Sequence, residues 1–218
     1  MADPGHNRGD IAAIVLAAGA SQRFGSDKLL HPLTLRGATM PLAAHSLLPW
    51  LETFRQISVV VRPGANVFRS AIEAALGMGN GGGMGKGGAD RSAPINWIAC
   101  ADAAQGMAAS LACGVRANLE AEGWLIGLAD MPAVPVEAIT RVRKALSKGA
   151  AIAVPAHAGR RGHPVGFARR YRIELLALQG DAGARRLLQR DEADVVEIGI
   201  DDAGIFADID IPDDLQSL

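Results

Sequence analysis

Short apolar runs alternate along this chain with segments of helical periodicity. The runs have the length of strands buried on both faces, because they contain few polar positions. They begin at Ile11, Ile57, Ile95, Trp124, Ala151 and Val195. Between them, apolar residues recur at helical spacing near 41–52, 67–76, 107–118, 136–148 and 171–178. This alternation predicts an α/β fold with a predominantly parallel central sheet and helices on both faces.

The first run passes directly into a loop of small residues. Ala17, Ala18 and Gly19 follow Leu16 with no polar transition, and Ser21, Arg23, Gly25 and Lys28 come next. Small residues let successive backbone N–H groups approach an anion, and two nearby cations favour a polyphosphate. We therefore expect a phosphate-cradling loop at the carboxyl end of the first strand.

Neither of the two common phosphate-binding loops accounts for this segment. A Walker A loop requires Lys directly after its second glycine, whereas Ser26 and Asp27 separate Gly25 from Lys28. The spacing from Gly19 to Gly25 does not supply G-x-G-x-x-G either. The alternative is that the glycines only turn the chain while Arg23 and Lys28 are solvated.

Asp130 is a second candidate, because it ends the apolar run that begins at Trp124 and is followed closely by Pro132. One interpretation is a carboxylate that caps the helix starting near Val136. The other is a side chain that points into the crevice of the first loop and holds Mg²⁺ together with substrate phosphate oxygens. The late residues Asp208 and Asp210 alternate in an extended segment and therefore share a side. Either one is a candidate to assist Asp130.

The predicted helix over 107–118 has a core face of Met107, Leu111 and Val115. Gly106 precedes it and frees the turn. The start of this helix is either ordinary or a place where exposed N–H groups meet a phosphate or a base edge.

A basic segment follows the strand that begins at Ala151. Arg160 and Arg161 stand between glycines, and His163 precedes Pro164. This pattern is typical of a hairpin turn followed by a strand, and two arginines in such a turn can also hold an anionic second substrate.

Composition limits the functional classes. The 218 residues are 49% hydrophobic, which is sufficient for a single domain over 11–218, after a loose tail at 1–10. The net charge of −1 argues against nucleic acid or an anionic membrane as a partner. The two cysteines form neither a disulfide framework nor a zinc pattern, and we expect a cytoplasmic protein. The glycine-rich stretch 77–90 predicts a flexible surface loop.

The motif L-A-A-G-x-S-x-R-x-G-x-x-K resembles the opening motif of the MobA-like nucleotidyltransferases, and within them the molybdenum cofactor cytidylyltransferases. Three later segments, around Gly106-Met107, Asp130 and Arg160-Arg161, are also similar to family segments. The resemblance implies a Rossmann-like nucleotidyltransferase fold and the following roles. Nucleotide binding falls to Leu16, Ala17, Ala18, Gly19, Ser21, Arg23, Lys28, Gly106, Met107 and Ser110; catalysis to Arg23, Lys28 and Asp130; acceptor binding to Arg160, Arg161 and His163; and metal binding to Asp130, Asp208 and Asp210.

The same resemblance implies transfer of CMP from CTP to molybdopterin with release of pyrophosphate, dependent on Mg²⁺ with Mn²⁺ as an alternative. Ala18 favours this branch, since guanylyl-transferring relatives typically carry L-A-G-G there, and its methyl group would crowd a purine. The alternatives are GTP-dependent guanylyl transfer, transfer to another small phosphate, or a non-catalytic accessory protein that binds nucleotide or cofactor. A transient contact with a molybdoenzyme or its chaperone is a further expectation.

Overall fold

The computed structural model describes residues 10–19, 24, 27–78, 94–180 and 183–217. Several sequence predictions lie outside these residues. They concern the tail at 1–9, the greater part of the glycine-rich stretch 77–90, and the loop residues Ser21, Arg23 and Gly25.

The described residues form an eight-stranded sheet, a two-stranded hairpin and flanking helices. The strands are β1 (Ile11–Leu16), β2 (Pro32–Leu35), β3 (Ala38–Pro41), β4 (Ile57–Val61), β5 (Ile95–Ala99), β6 (Gly123–Leu128), β7 (Ile152–His157), β8 (Arg160–Arg161), β9 (Val165–Ala168) and β10 (Val195–Gly199). The α-helices are α1 (Leu42–Thr53), α2 (Asn66–Ala75), α3 (Met107–Arg116), α4 (Val136–Ser147), α5 (Arg172–Leu176) and α6 (Arg185–Arg190). The main sheet has the order β10-β7-β9-β6-β1-β4-β5, and β8 pairs with β7.

Strand β1 lies at the centre of the sheet, parallel to β4 on one side and β6 on the other. Its side chains alternate between two buried clusters, so that Ala13 and Val15 pack in one and Ile14 and Leu16 in the other. Helices α1, α2 and α4 cover the first cluster, and α3, α5 and α6 cover the second. The predicted α/β fold, with a mostly parallel sheet and helices on both faces, is confirmed.

An antiparallel strand interrupts the parallel order. Strand β9 runs between β6 and β7, antiparallel to both. Its first residue therefore lies at the edge where β6 and β7 end. This brings His163, just before β9, to the same edge of the sheet as Asp130, just after β6.

The β2–β3 hairpin was not predicted from the sequence. Its turn is formed by Arg36 and Gly37, both with positive φ, at 54° and 79°. The hairpin is attached to α1 by a hydrogen bond between Nε2 of His45 and the carbonyl oxygen of Leu33, at 2.9 Å. His45 is buried, and its role here is structural.

Helix α3 differs from its predicted core face at one position. Leu111 and Val115 are buried, but Met107 is 45% exposed, so its assignment to the core was wrong. Met107 is the first residue of the helix, at the edge of the sheet, where it faces Gly183 instead of the core. Among the described helices, none has the length and apolar character required to cross a bilayer.

Candidate active site

The carboxyl ends of β1, β4 and β6 are fixed to one another by backbone hydrogen bonds. The N–H of Ala17 donates to the carbonyl oxygen of Val60 at 2.8 Å, and the N–H of Ala129 donates to that of Leu16 at 3.0 Å. The start of the small-residue loop and the turn that carries Asp130 are therefore held side by side. In parallel sheets this edge is where ligands bind.

Lys28 lies at the centre of this edge, at the start of a short 3-10 helix, Lys28–Leu30. Its Nζ is 2.9 Å from Oδ2 of Asp130 and 3.4 Å from Oδ1 of Asp210. Lys28 is only 7% exposed, so this ammonium is largely removed from water and neutralised by carboxylates. The sequence interpretation in which Lys28 is merely solvated does not fit this arrangement.

The C-terminal segment is attached directly to the turn at Asp130. The N–H of Ile209 donates to the carbonyl oxygen of Asp130 at 3.0 Å, and the Ile209 side chain is buried. Asp208 and Asp210 on either side of it are both exposed. Asp214 accepts hydrogen bonds from the N–H groups of Asp210 and Ile211, which lower the pKa of its carboxyl group. The backbone that presents Asp210 is thus fixed.

The donor set at Asp130 fits a hard divalent cation completed by substrate. Among the described residues, no three carboxylate, imidazole or thiol groups converge as a full metal cage. Mg²⁺ does not require one, because it usually binds one or two carboxylates together with phosphate oxygens and waters. Oδ1 of Asp130 is buried and has no hydrogen-bond partner in the described structure. A buried carboxylate oxygen in this condition is costly unless a ligand completes it.

His163 lies near the same carboxylates. Its N–H donates to the carbonyl oxygen of Ile205 at 2.9 Å. A Cβ atom on the preceding Gly162 would lie 2.5 Å from that same oxygen, so the close approach requires glycine. The residue as a whole is partly exposed, but its Nδ1 is enclosed and lacks a partner among the described residues. Burial lowers the pKa of His163, and the negative charges of Asp130 and Asp208 oppose this shift in part.

The two arginines proposed for acceptor binding are in different environments. The guanidinium of Arg160 stacks over the ring of Phe206, 4.3 Å from its centroid. Arg161 instead forms ion pairs, at 2.6 Å to Glu197 and at 3.4 Å to Glu192. Arg160 is exposed, whereas the charge of Arg161 is already balanced by protein carboxylates. The structure therefore favours Arg160 over Arg161 as a group that can meet an anion.

The start of α3 is covered in part by the segment after α5. Gly106 has φ of 114°, and the N–H of Ala108 donates to the carbonyl oxygen of Gly180 at 3.1 Å. One of the N–H groups expected to face a ligand is therefore already bonded. Ser110 is 4% exposed, which leaves Gly106 and Met107 as the accessible part of the predicted nucleotide-binding segment.

A cleft of about 460 Å³ opens beside the loop, on the side of β4. Its lining includes Ala17, Gly19, Leu30, Arg62, Pro63 and Val67. Nε of Arg62 donates to the carbonyl oxygen of Ala18 at 2.8 Å. Ala18 itself is 4% exposed and does not line the cleft.

Sequence reasoning missed Arg62 and Phe206. Arg62 follows directly on β4, so a cation at the carboxyl end of a predicted strand was a usable signal. Phe206 had no comparable signal, because it meets Arg160 through the fold of two segments that are distant in sequence.

Comparisons with known proteins agree with this architecture. Residues 13–195 match the model of the MobA-like NTP transferase domain. Rv0371c from Mycobacterium tuberculosis H37Rv is similar, with 25% identity and a TM-score of 0.74 over 96% of this chain and 97% of that chain. A structure of the same mycobacterial protein in complex with manganese has a TM-score of 0.69, with 25% identity over 96% and 97% of the two chains.

A third structure shares the fold. It is the molybdopterin-guanine dinucleotide biosynthesis protein A from Archaeoglobus fulgidus, with 20% identity and a TM-score of 0.60 over 95% of this chain and 96% of that chain. A search of curated proteins gave no significant match. The family match covers most of the chain, including most of β1, the loop that follows it, and β6 with Asp130. The chain therefore belongs to the MobA-like NTP transferase family, whose members are nucleotidyltransferases that bind nucleoside triphosphates and a phosphate acceptor.

Proposed function

We propose that this protein transfers CMP from CTP to a molybdopterin-type acceptor and releases pyrophosphate. The observation that carries the catalytic part is the convergence of Lys28, Asp130 and Asp210 beside the loop that follows β1. An ammonium suited to phosphate and a carboxylate with an unpartnered oxygen suited to a divalent cation are the two elements that this transfer needs.

The chemistry makes modest demands on the protein. An oxygen of the acceptor phosphate forms a bond to the α-phosphorus of CTP, and the bond from that phosphorus to the bridging oxygen breaks. The electron pair leaves with pyrophosphate. Because the acceptor phosphate is already ionised, no general base is required, and catalysis consists of positioning and charge neutralisation.

The residues divide this work between them. The amide of Gly19, which lines the cleft, and the Lys28 ammonium bind the triphosphate, with Arg23 as a further cation in the proposal. Asp130 and Asp210 would hold Mg²⁺ or Mn²⁺, which supplies Lewis-acid neutralisation of the phosphate oxygens. The mycobacterial structure with manganese supports a divalent cation on this fold. Arg160 and His163 bind the acceptor on the other side of Asp130.

The choice of CTP rests on the resemblance of the Leu16-Ala17-Ala18-Gly19 sequence to the cytidylyl-transferring branch. The steric explanation for Ala18 needs revision, because Ala18 is buried and its neighbours Ala17 and Gly19 line the cleft. The contact that the structure shows for Ala18 is through its carbonyl oxygen, which accepts a hydrogen bond from Nε of Arg62.

The proposal is tested by measuring pyrophosphate release with each of the four nucleoside triphosphates, in Mg²⁺, with and without molybdopterin. We expect release with CTP only when the acceptor is present. Release with GTP instead would assign the protein to the guanylyl-transferring branch and contradict the proposal that CTP is the substrate. Tight nucleotide binding with no turnover under any condition would contradict catalysis and favour an accessory protein.

A further inference from the structure

We propose that Lys28 is an internal counter-ion that excludes the divalent cation from Asp130 and Asp210 until a triphosphate arrives. In the nucleotide-free protein its ammonium occupies the carboxylates; when a triphosphate binds, Lys28 transfers to the phosphates and the carboxylates become available to metal. This inference rests on the metal-binding part of the proposed function. It adds an order of binding that the proposed function does not contain.

The distances make simultaneous occupation of the carboxylates unfavourable. Nζ of Lys28 is 2.9 Å from Oδ2 of Asp130. An Mg²⁺ ion binds carboxylate oxygen at roughly 2.1 Å, so an ion on that same oxygen lies no more than about 5 Å from the ammonium. A monovalent and a divalent cation repel strongly at such a distance in a partly buried site. The second carboxylate, Asp210, is in contact with the same ammonium.

Lys28 is the part of this cluster that can move. The carbonyl oxygen of Asp130 is held by Ile209, and the N–H of Asp210 is held by the Asp214 carboxylate. Lys28, in contrast, carries its charge on a flexible four-carbon stem. It also begins the helix that follows the phosphate-binding loop, so a triphosphate in that loop offers it an alternative anionic partner.

The cluster in its present state is also incomplete. Oδ1 of Asp130 is enclosed without a hydrogen-bond partner in the described structure, although Oδ2 is paired with Lys28. Lys28 thus pairs with one carboxylate oxygen of Asp130 and leaves the other without a partner. This is the arrangement expected before the divalent cation has bound to Asp130.

The first test measures the affinity of the nucleotide-free protein for Mn²⁺. The electron paramagnetic resonance signal of free Mn²⁺ reports how much of the ion remains unbound. We expect Lys28→Met to bind Mn²⁺ roughly tenfold or more tightly than the wild type. Lys28→Arg, which keeps the charge, should bind as weakly as the wild type. Arg36→Met is the control, because it removes one positive charge from the exposed turn between β2 and β3 without touching the carboxylates or the loop, and its affinity should change less than about threefold.

Two results would overturn the inference. One is a Lys28→Met variant that binds Mn²⁺ no more tightly than the wild type. The other is an equal gain in Arg36→Met, which would reduce the effect to general electrostatics. The double variant Lys28→Met/Asp130→Asn should lose the gain, and retention of the gain would place the metal elsewhere and also contradict the inference.

The second test examines the transfer of Lys28 to phosphate, with inorganic tripolyphosphate as the probe and EDTA present. Because Asp130 competes for Lys28, Asp130→Asn should bind tripolyphosphate several-fold more tightly than the wild type. The control is Asp213→Asn, an exposed carboxylate of the same C-terminal segment, which should leave this affinity unchanged. Equal affinity in all three proteins would contradict the exchange. Neither test uses turnover, so failure of these tests is distinguishable from failure of the proposed reaction.

Discussion

Nζ of Lys28 lies 2.9 Å from Oδ2 of Asp130, although 102 positions separate the two residues in the chain. The pairing joins the loop after β1 to the turn after β6, the two neighbouring strands at the centre of the sheet. Lys28 is buried, so an uncompensated charge at either residue would be costly. This pair is the element around which the rest of the site is arranged.

Substitution of Gly19 in the loop after β1 should affect nucleotide binding but not the stability of the fold. A Cβ atom there would meet no atom of the described residues within 4 Å, so Gly19→Ala should leave the melting temperature within about 2 °C of the wild type. If triphosphate oxygens approach the backbone at this position, the added methyl group obstructs them, and affinity for the nucleotide should fall about tenfold. Calorimetry of binding together with thermal unfolding measures both effects. Unchanged affinity would show that the ligand does not approach Gly19.

Arg160 and Arg161 should differ when each is replaced by glutamine. We expect Arg160→Gln to raise the KM for the acceptor about tenfold, since its guanidinium faces solvent above Phe206. Arg161→Gln removes ion pairs with Glu192 and Glu197, which at this exposure contribute no more than about 1 kcal/mol to the free energy of unfolding. Its KM should change little. An equal KM effect in the two variants would show that Arg161 leaves its carboxylates for the acceptor.

Arg160 and Arg161 show one limit of prediction from the sequence. Adjacent residues in a basic turn are indistinguishable in the sequence, because their partners Phe206, Glu192 and Glu197 come from later segments. The sheet and its helices were predictable, since burial on both faces leaves a continuous apolar run such as that over 11–16. A strand after the basic hairpin turn was also predicted, but its insertion between β6 and β7 was not, because the periodicity of a short strand carries no information on its neighbours in the sheet.

The candidate site, too, could be predicted from the sequence only in part. Lys28, Asp130 and Asp210 could be named individually, because motif and strand-end position mark them. Their convergence at one crevice was one of the two interpretations of the sequence. The direct pairing of Lys28 with both carboxylates was not predicted, since it depends on the hydrogen bond from Ile209 to Asp130 that places the C-terminal segment. Met107 was placed in the core by its spacing, but a helix end at the edge of a sheet does not follow the burial pattern of the helix interior.

His163 should make stability depend on pH. Burial lowers its pKa below the ordinary value of 6.5, so between these two values the unfolded chain binds a proton that the folded protein does not. The free energy of unfolding contributed by this group is therefore present at pH 7 and decreases as the pH falls below about 6.5, by at most about 1.4 kcal/mol per pH unit.

Urea unfolding at about pH 7 and pH 5 measures this effect when the wild type is compared with His163→Gln. The glutamine variant lacks the titration, so the stability of the wild type relative to the variant should decrease at the lower pH. If the difference in the free energy of unfolding between the wild type and His163→Gln is the same at both pH values, the imidazole is not enclosed and neutral, and the interpretation is contradicted.

The proposed reaction depends on Asp130, and its most direct test is the rate of pyrophosphate release by Asp130→Asn at saturating CTP, acceptor and Mg²⁺. The substitution keeps the shape of the side chain and removes its charge. Loss of a metal-binding carboxylate should lower the rate at least about a hundredfold, equivalent to roughly 2.7 kcal/mol. Asp213→Asn, which removes an exposed carboxylate from the same C-terminal segment, should stay within a few-fold of the wild type. A rate for Asp130→Asn within a few-fold of the wild type would contradict the assignment of this site.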